Sequence, residues 1–164
     1  MKFVDYTSIS IKAGDGGDGC IAFLREKFRP KGGPAGGDGG HGGDVYFQVS
    51  SDLSTLSDLN YKKHYFAGDG ENGKGKNMHG KNGEDIFIRV PQGTIVIDSI
   101  TKQRIVDLVK NNQTYKIASG GNGGFGNARF KTQKITAPRI ANNGKKGDSL
   151  KIDLELKVLA DVGL

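Results

Sequence analysis

Short stretches of alternating apolar and polar residues punctuate this chain, separated by long tracts that are nearly free of large apolar side chains. The clearest is 150–158, where Leu150, Ile152, Leu154, Leu156 and Val158 occupy every second position. A period of two is the signature of a strand with one face buried. Residues 8–13 and 114–118 alternate in the same way, and 86–90 does so more loosely. Residues 20–24, 45–49 and 94–98 are short apolar runs between turn signals, and 104–109 reads equally as a strand or a helical turn. An amphipathic helix is predicted nowhere. Only 53–59 suggests a turn or two, opened by Ser51 or Asp52 as a cap. About eight short strands with almost no helix predict an all-β domain, a small sandwich or barrel carrying glycine-rich insertions.

The insertions have a phase of their own. Glycine makes up 27 of 164 residues, against an average usage of about 7%. It concentrates in tracts at 14–19, 32–43, 68–83 and 120–126. Gly14 and Gly17, then Gly33, Gly36, Gly39 and Gly42, then Gly120, Gly123 and Gly126 recur at every third residue. Collagen would need that period throughout and abundant proline, and this chain has four prolines. Polyproline II has three residues per turn and no internal hydrogen bonds, so one phase of a glycine tract lies along one edge of such a helix. A flexible linker has no need of phase. We therefore expect an ordered bundle of left-handed extended helices, packed through those nine glycines.

Charge is unevenly placed. The chain has 24 basic and 18 acidic residues. Between 125 and 151 lie Arg129, Lys131, Lys134, Arg139, Lys145, Lys146 and Lys151 against a single acidic residue, Asp148. Arg25, Lys27, Arg29 and Lys31 form a second cluster, and Lys74, Lys76 and Lys81 a third. All three border glycine tracts, and concentrated positive charge points to a polyanion. Phe28 and Phe130 sit among these cations, a combination that suits RNA phosphates and unstacked bases. The alternative, buried aromatic plugs with merely solubilising charges, stays open at this level. The single cysteine, Cys20, lies in an apolar run, where a buried hydrophobe is expected. One cysteine, no apolar run near the roughly 20 residues of a membrane span, and an N-terminus unlike a secretory signal predict a cytoplasmic chain.

Nucleotide and metal motifs do not survive inspection. G-x-G-x-x-G occurs at Gly14, Gly37 and Gly121, but none opens a helix that could meet a pyrophosphate. G-x-x-x-x-G-K occurs at Gly68 and Gly75, followed by Gly75 and Asn82 where a phosphate loop needs Ser or Thr. Asp38, His41 and Asp44 share one phase of the repeat, yet on a polyproline II helix successive members lie about 9 Å apart and cannot converge on one ion. His64 and His79 stand in polar surroundings. Catalysis, a cofactor and a metal are not expected within this chain.

Particular runs carry a resemblance. Residues 1–5, Ala13-Gly14-Asp15-Gly16-Gly17-Asp18-Gly19-Cys20, Arg25-Glu26-Lys27, Pro30-Lys31-Gly32-Gly33-Pro34 and Gly36-Gly37-Asp38-Gly39-Gly40 resemble the N-terminal domain of the Obg family of ribosome-associated GTPases. Gly80-Lys81-Asn82-Gly83, Val90-Pro91-Gln92-Gly93-Thr94, Gly124-Phe125-Gly126-Asn127, Arg129-Phe130 and Pro138-Arg139 extend it in order. Residues 156–164 resemble the opening of that family's GTPase domain, ahead of its phosphate loop. His41 departs from the pattern, since related proteins often carry Asp in this tract.

The resemblance implies an Obg domain over 1–156 and the start of a GTPase domain over 157–164. It also implies a parent protein that binds GTP and Mg²⁺, hydrolyses GTP, and acts in maturation of the large ribosomal subunit and in stress signalling by guanine nucleotides. In the family the tips of the domain enter the peptidyl-transferase region. The corresponding RNA-binding residues here are Arg25, Lys27, Arg29 and Lys31; Lys74, Lys76 and Lys81; and Arg129, Lys131, Lys134, Arg139, Lys145 and Lys146. The partners expected are the large subunit with its rRNA and the chain's own GTPase domain. The competing expectation is a protein-docking module for stress-signalling partners, with no direct RNA contact.

Overall fold

The computed structural model describes residues 2–24 and 32–159. Eight strands are present: β1 (Lys2–Lys12), β2 (Val45–Val49), β3 (His64–Phe66), β4 (Ile86–Val90), β5 (Thr94–Asp98), β6 (Arg104–Leu108), β7 (Thr114–Ala118) and β8 (Ser149–Leu159). They form a five-stranded sheet in the order β3-β1-β8-β5-β6 and a three-stranded sheet in the order β4-β2-β7. β1 pairs antiparallel with β8 along its whole length, from Lys2 opposite Leu159 to Lys12 opposite Ser149. The β1–β3 and β2–β4 pairs are parallel.

One core holds the two sheets face to face as a sandwich. Ile9 and Ile11 on β1, Val96 on β5, Leu108 on β6 and Ile152, Leu154 and Leu156 on β8 come from one sheet. Val45, Phe47 and Val49 on β2, Ile88 and Val90 on β4 and Ile117 on β7 come from the other. These are the inward positions of the alternating pattern, and Phe47 is wholly buried at their centre.

Three local expectations need correction. Residues 20–24 form no strand: Phe23 makes one isolated bridge to Pro34, flanked by single bonds from Ala35 N–H to the Ala22 carbonyl and from Leu24 N–H to the Gly33 carbonyl. The expected helix over 53–59 is one 3₁₀ turn at Ser57–Asn60 without a side-chain cap of its own. Asp5 on β1 does the capping, accepting from the Leu56 N–H and the Thr55 hydroxyl. That partner is remote in sequence, so local pattern could not show it. β3 is a strand the pattern did not announce, a three-residue edge segment with no buried residue, defined by its pairing with β1. The ambiguous 104–109 resolves as strand β6. β8 continues through Leu159.

Candidate nucleic-acid interface

The glycine tracts run out of the strands as six extended segments, three leaving the sandwich and three returning. Segments 13–22, 68–74 and 119–127 lead away from β1, β3 and β7; segments 35–44, 78–85 and 142–148 lead back into β2, β4 and β8. Their cross-links recur in steps of three residues. Gly14, Gly17 and Cys20 donate to the carbonyls of Gly43, Gly40 and Gly37; Gly121, Gly124 and Asn127 donate to those of Gly14, Gly17 and Cys20. Gly80, Gly83 and Ile86 likewise donate to Asp38, His41 and Asp44, while Asn142, Lys145 and Asp148 donate to Phe125, Asn122 and Ser119. The bonds are 2.8–3.0 Å long, and they run in parallel and antiparallel pairs.

Such contacts demand close backbone approach. A Cβ on Gly39 would lie 1.9 Å from the Gly17 carbonyl oxygen, and one on Gly36 would lie 1.7 Å from that of Cys20. The same is true, within 2.1 Å, at Gly14, Gly17, Gly42, Gly120, Gly123 and Gly126. Gly33 differs: a Cβ there would meet only the Lys131 Nζ, at 3.8 Å.

A second ladder is made by side chains, and sequence reasoning missed it. Asp69 and Asn72 accept from the N–H groups of Asp15 and Asp18. His79 Nδ1, Asn82 and Asp85 accept from those of Asp38, His41 and Asp44. Asp15 and Asp18 accept from Gly147 and Gly144, and Asp38 and Asp44 from Gly126 and Gly120. The signal was visible as Asp and Asn recurring in step with the glycines. Asp38 and Asp44 therefore bind backbone and cations, with Arg129 Nε 2.6 Å and Lys116 Nζ 3.6 Å away respectively.

Described residues near the far ends of the three excursions are cross-linked to one another, remote from the sandwich. Asn127, completely buried, ties the first excursion to the third: its Oδ1 accepts from Gly36 N–H at 2.8 Å, and its Nδ2 donates to the carbonyls of Ala22 and Pro138 at 3.0 Å. The Asn77 N–H donates to the Ala35 carbonyl at 2.8 Å. Nothing local marked Asn127 as the residue that joins the tips.

The basic residues sort by position. Arg25, Lys27, Arg29 and Lys31, with Phe28, lie outside the described residues. Lys74 and Lys76 stand exposed at the 74–78 turn, and Lys131, Lys134 and Arg139 stand exposed on the 127–141 loop. Lys81 and Lys145 lie on the shaft instead, level with Glu71 and Gly16, and Lys146 follows Lys145. Arg129, though exposed, is paired within the arm, bonded to Asp38 and stacked 4.7 Å from the Phe125 ring centroid. Arg139 lies 5.3 Å from the Phe23 centroid. The aromatic–cation pairs thus involve Phe125 and Phe23, while Phe130 is half-buried. Cys20 is half-exposed rather than buried, because its segment packs through backbone and not through an apolar core.

The glycine–lysine runs are occupied by this architecture. N–H groups of Gly68, Gly70, Glu71, Gly73 and Lys74, and of Gly80 and Gly83, donate to carbonyls of neighbouring segments. They do not form a nest for a nucleotide's phosphates. Among the described residues no three His, Cys, Asp or Glu side chains come together as a metal site. No helix among the described residues is long and apolar enough to cross a membrane.

Comparison with known proteins agrees with this architecture. The chain is 60% identical to the GTPase Obg of Aquifex aeolicus, across 99% of this chain and 48% of that protein. It is 57% identical to the GTPase Obg of Bacillus licheniformis, across 99% of this chain and 38% of that protein. It is 56% identical to the GTPase Obg of Thermodesulfovibrio yellowstonii, across the full chain and 49% of that protein. The chain spans less than half the length of each of these relatives. The family described as GTP1/OBG matches residues 4–158, and the chain belongs to that family.

Proposed function

We propose that this chain is the N-terminal, RNA-contacting part of a GTP-hydrolysing protein that acts in large ribosomal subunit assembly in the cytoplasm. The observation that carries the reading is the convergence of the basic turns. Two hairpin-like excursions, from positions far apart in sequence, bring Lys74 and Lys76, and Lys131, Lys134 and Arg139, to the end of the arm opposite the sandwich. None of the five forms an ion pair with another described residue, which leaves them free to meet phosphates. Arg25, Lys27, Arg29 and Lys31 belong to the same interface in this reading, at the turn of the first excursion. Lys81, Lys145 and Lys146 would serve the flank of the arm, and Arg129 would hold the tip together.

The six segments are read as left-handed polyproline II helices. A three-residue bonding period with no bonds inside a segment supports this, and the rise of about 3.1 Å per residue gives the segments lengths of about 20–30 Å. GTP and Mg²⁺ would bind in the parent protein's GTPase domain, whose start the family resemblance puts at 157–164, and nucleotide state would alter how the arm is presented to rRNA. A binding experiment tests the interface. Lys74, Lys76, Lys131 and Lys134 are changed together to Ser and affinity for isolated large subunits is measured across a salt series. Each phosphate that loses its lysine should flatten the log–log slope by nearly one. Unchanged affinity with an unchanged slope defeats the RNA reading and favours docking to stress-signalling proteins.

A further inference from the structure

Most Asp and Asn side chains in the arm are consumed internally. Asp15, Asp18, Asp38, Asp44, Asp69, Asn72, Asn82, Asp85 and Asn127 each accept a backbone N–H from a neighbouring segment. Asn122, Asn142 and Asn143 depart from the rule. All three are exposed, and none of their amides bonds to a described residue.

These three line a single groove of about 630 Å³ between the 119–127 and 142–148 segments, together with Gly123, Gly124, Phe125 and Lys145. Its floor is closed, since Asn142 and Lys145 donate to the carbonyls of Phe125 and Asn122 at 3.0 and 2.9 Å. Side chains supply the distinctive chemistry of its walls. Those on offer are three amides with both donor and acceptor free, an ammonium, and an aromatic ring that is 47% exposed with the Arg129 guanidinium 4.7 Å from its centroid. No carboxylate lines the groove.

That set matches an unstacked nucleotide. Amides read the mixed donor and acceptor edge of a base, rings and guanidinium planes stack on its face, and an ammonium meets its phosphate. A polyanion without bases would use the ammonium alone, and a protein partner would want a broader apolar anchor than one phenyl ring. We infer that the groove between residues 119–127 and 142–148 is a subsite for a single-stranded RNA nucleotide, flanking the basic tip. The inference rests on the proposed RNA role, to which it adds a base-recognising site on the side of the arm.

The test measures binding of the chain to a short labelled single-stranded oligoribonucleotide of mixed sequence, and to its duplex form, across a salt series. Asn142→Ala with Asn143→Ala, and separately Phe125→Leu, should weaken single-strand binding by about tenfold, the scale on which one base is recognised. The salt slope should not change, because no cation is removed, and duplex binding should be unaffected. Circular dichroism melts monitor folding; if Phe125→Leu is unstable, the asparagine pair decides. Wild-type affinity in the groove variants overturns the subsite, and so does an equal loss on duplex RNA. If the tip Lys→Ser variant still weakens binding in that case, the general RNA role stands without the subsite. If the unmodified chain binds no RNA, both fall.

Discussion

His41 occupies a position where the side-chain ladder has a missing rung. Asp38 and Asp44, three residues to either side, accept from the N–H groups of Gly126 and Gly120, whereas the N–H of Gly123 between them has no partner among the described residues. An aspartate there would supply the acceptor. His41→Asp should raise stability by about 1 kcal/mol, the usual net worth of one hydrogen bond, measured as a shift in urea midpoint at constant m. Backbone approach gives a sharper contrast. Gly39→Ala inserts a methyl group 1.9 Å from a carbonyl oxygen and should cost about 3 kcal/mol or more. Gly33→Ala, with nothing nearer than 3.8 Å, should be close to neutral. The third-residue period marked both glycines alike. Sequence could show which phase glycine keeps, but not that a Cβ on Gly33 would face only the distant Lys131 Nζ of the 127–141 loop.

At the scale of the element, the 74–78 turn is strained where it is most exposed. Met78 N–H closes onto the Gly75 carbonyl, and the two central residues, Lys76 and Asn77, take φ values of 59° and 57°. Asn tolerates that region, but a lysine there costs about 1–2 kcal/mol relative to glycine. Lys76→Gly should therefore raise stability by about 0.5–1 kcal/mol while weakening attachment to large subunits, the two effects read from thermal melts and subunit binding. A stabilising change that leaves binding intact would remove Lys76 from the interface.

Acid sensitivity belongs to the element ends. Lys12 Nζ, 2.6 Å from Asp15 at the junction of β1 with its segment, and the Gly147 N–H hold the Asp15 carboxyl below its ordinary range. On β8, burial raises the Asp153 carboxyl, but hydrogen bonds from Ser8, Lys102 and Ser99 outweigh it and the net direction is down. An unfolded carboxylate titrates near about 3.9, so the unfolded state binds the extra protons as pH falls. Both groups contribute stability that is complete above about pH 5 and disappears as pH drops through their folded values. Urea midpoints should fall steeply between about pH 5 and pH 2, and less steeply in Asp153→Asn. The nine-residue alternation of β8 was plain in the sequence, whereas the buried carboxylate on its outward side was not, since Ser8 and Lys102 reach it only once the sheet has formed.

Considered whole, the molecule joins two kinds of cohesion. The sandwich is held by an apolar core centred on Phe47, and the arm by backbone and Asp/Asn hydrogen bonds with no apolar core. Glycine loses more conformational entropy on ordering than any other residue, so the arm depends on the base that fixes all six of its roots. Phe47→Ala, at a cost of about 3–5 kcal/mol, should therefore lower hydrogen-exchange protection at Gly17 and Gly40 along with that at Val96. Undiminished protection in the arm would mean that it folds independently. By itself the sequence determined the class of the base and the period of the arm, because strand alternation and the three-residue glycine repeat are local consequences of backbone geometry. Only the tertiary structure decided which segments pair, that Asp and Asn serve as rungs, that Asn127 ties the first excursion to the third, and that Arg129 pairs with Asp38 while Lys131 and Lys134 form no ion pair among the described residues. Those outcomes depend on groups tens of residues apart arriving at hydrogen-bonding distance, a condition that no local pattern along the chain encodes.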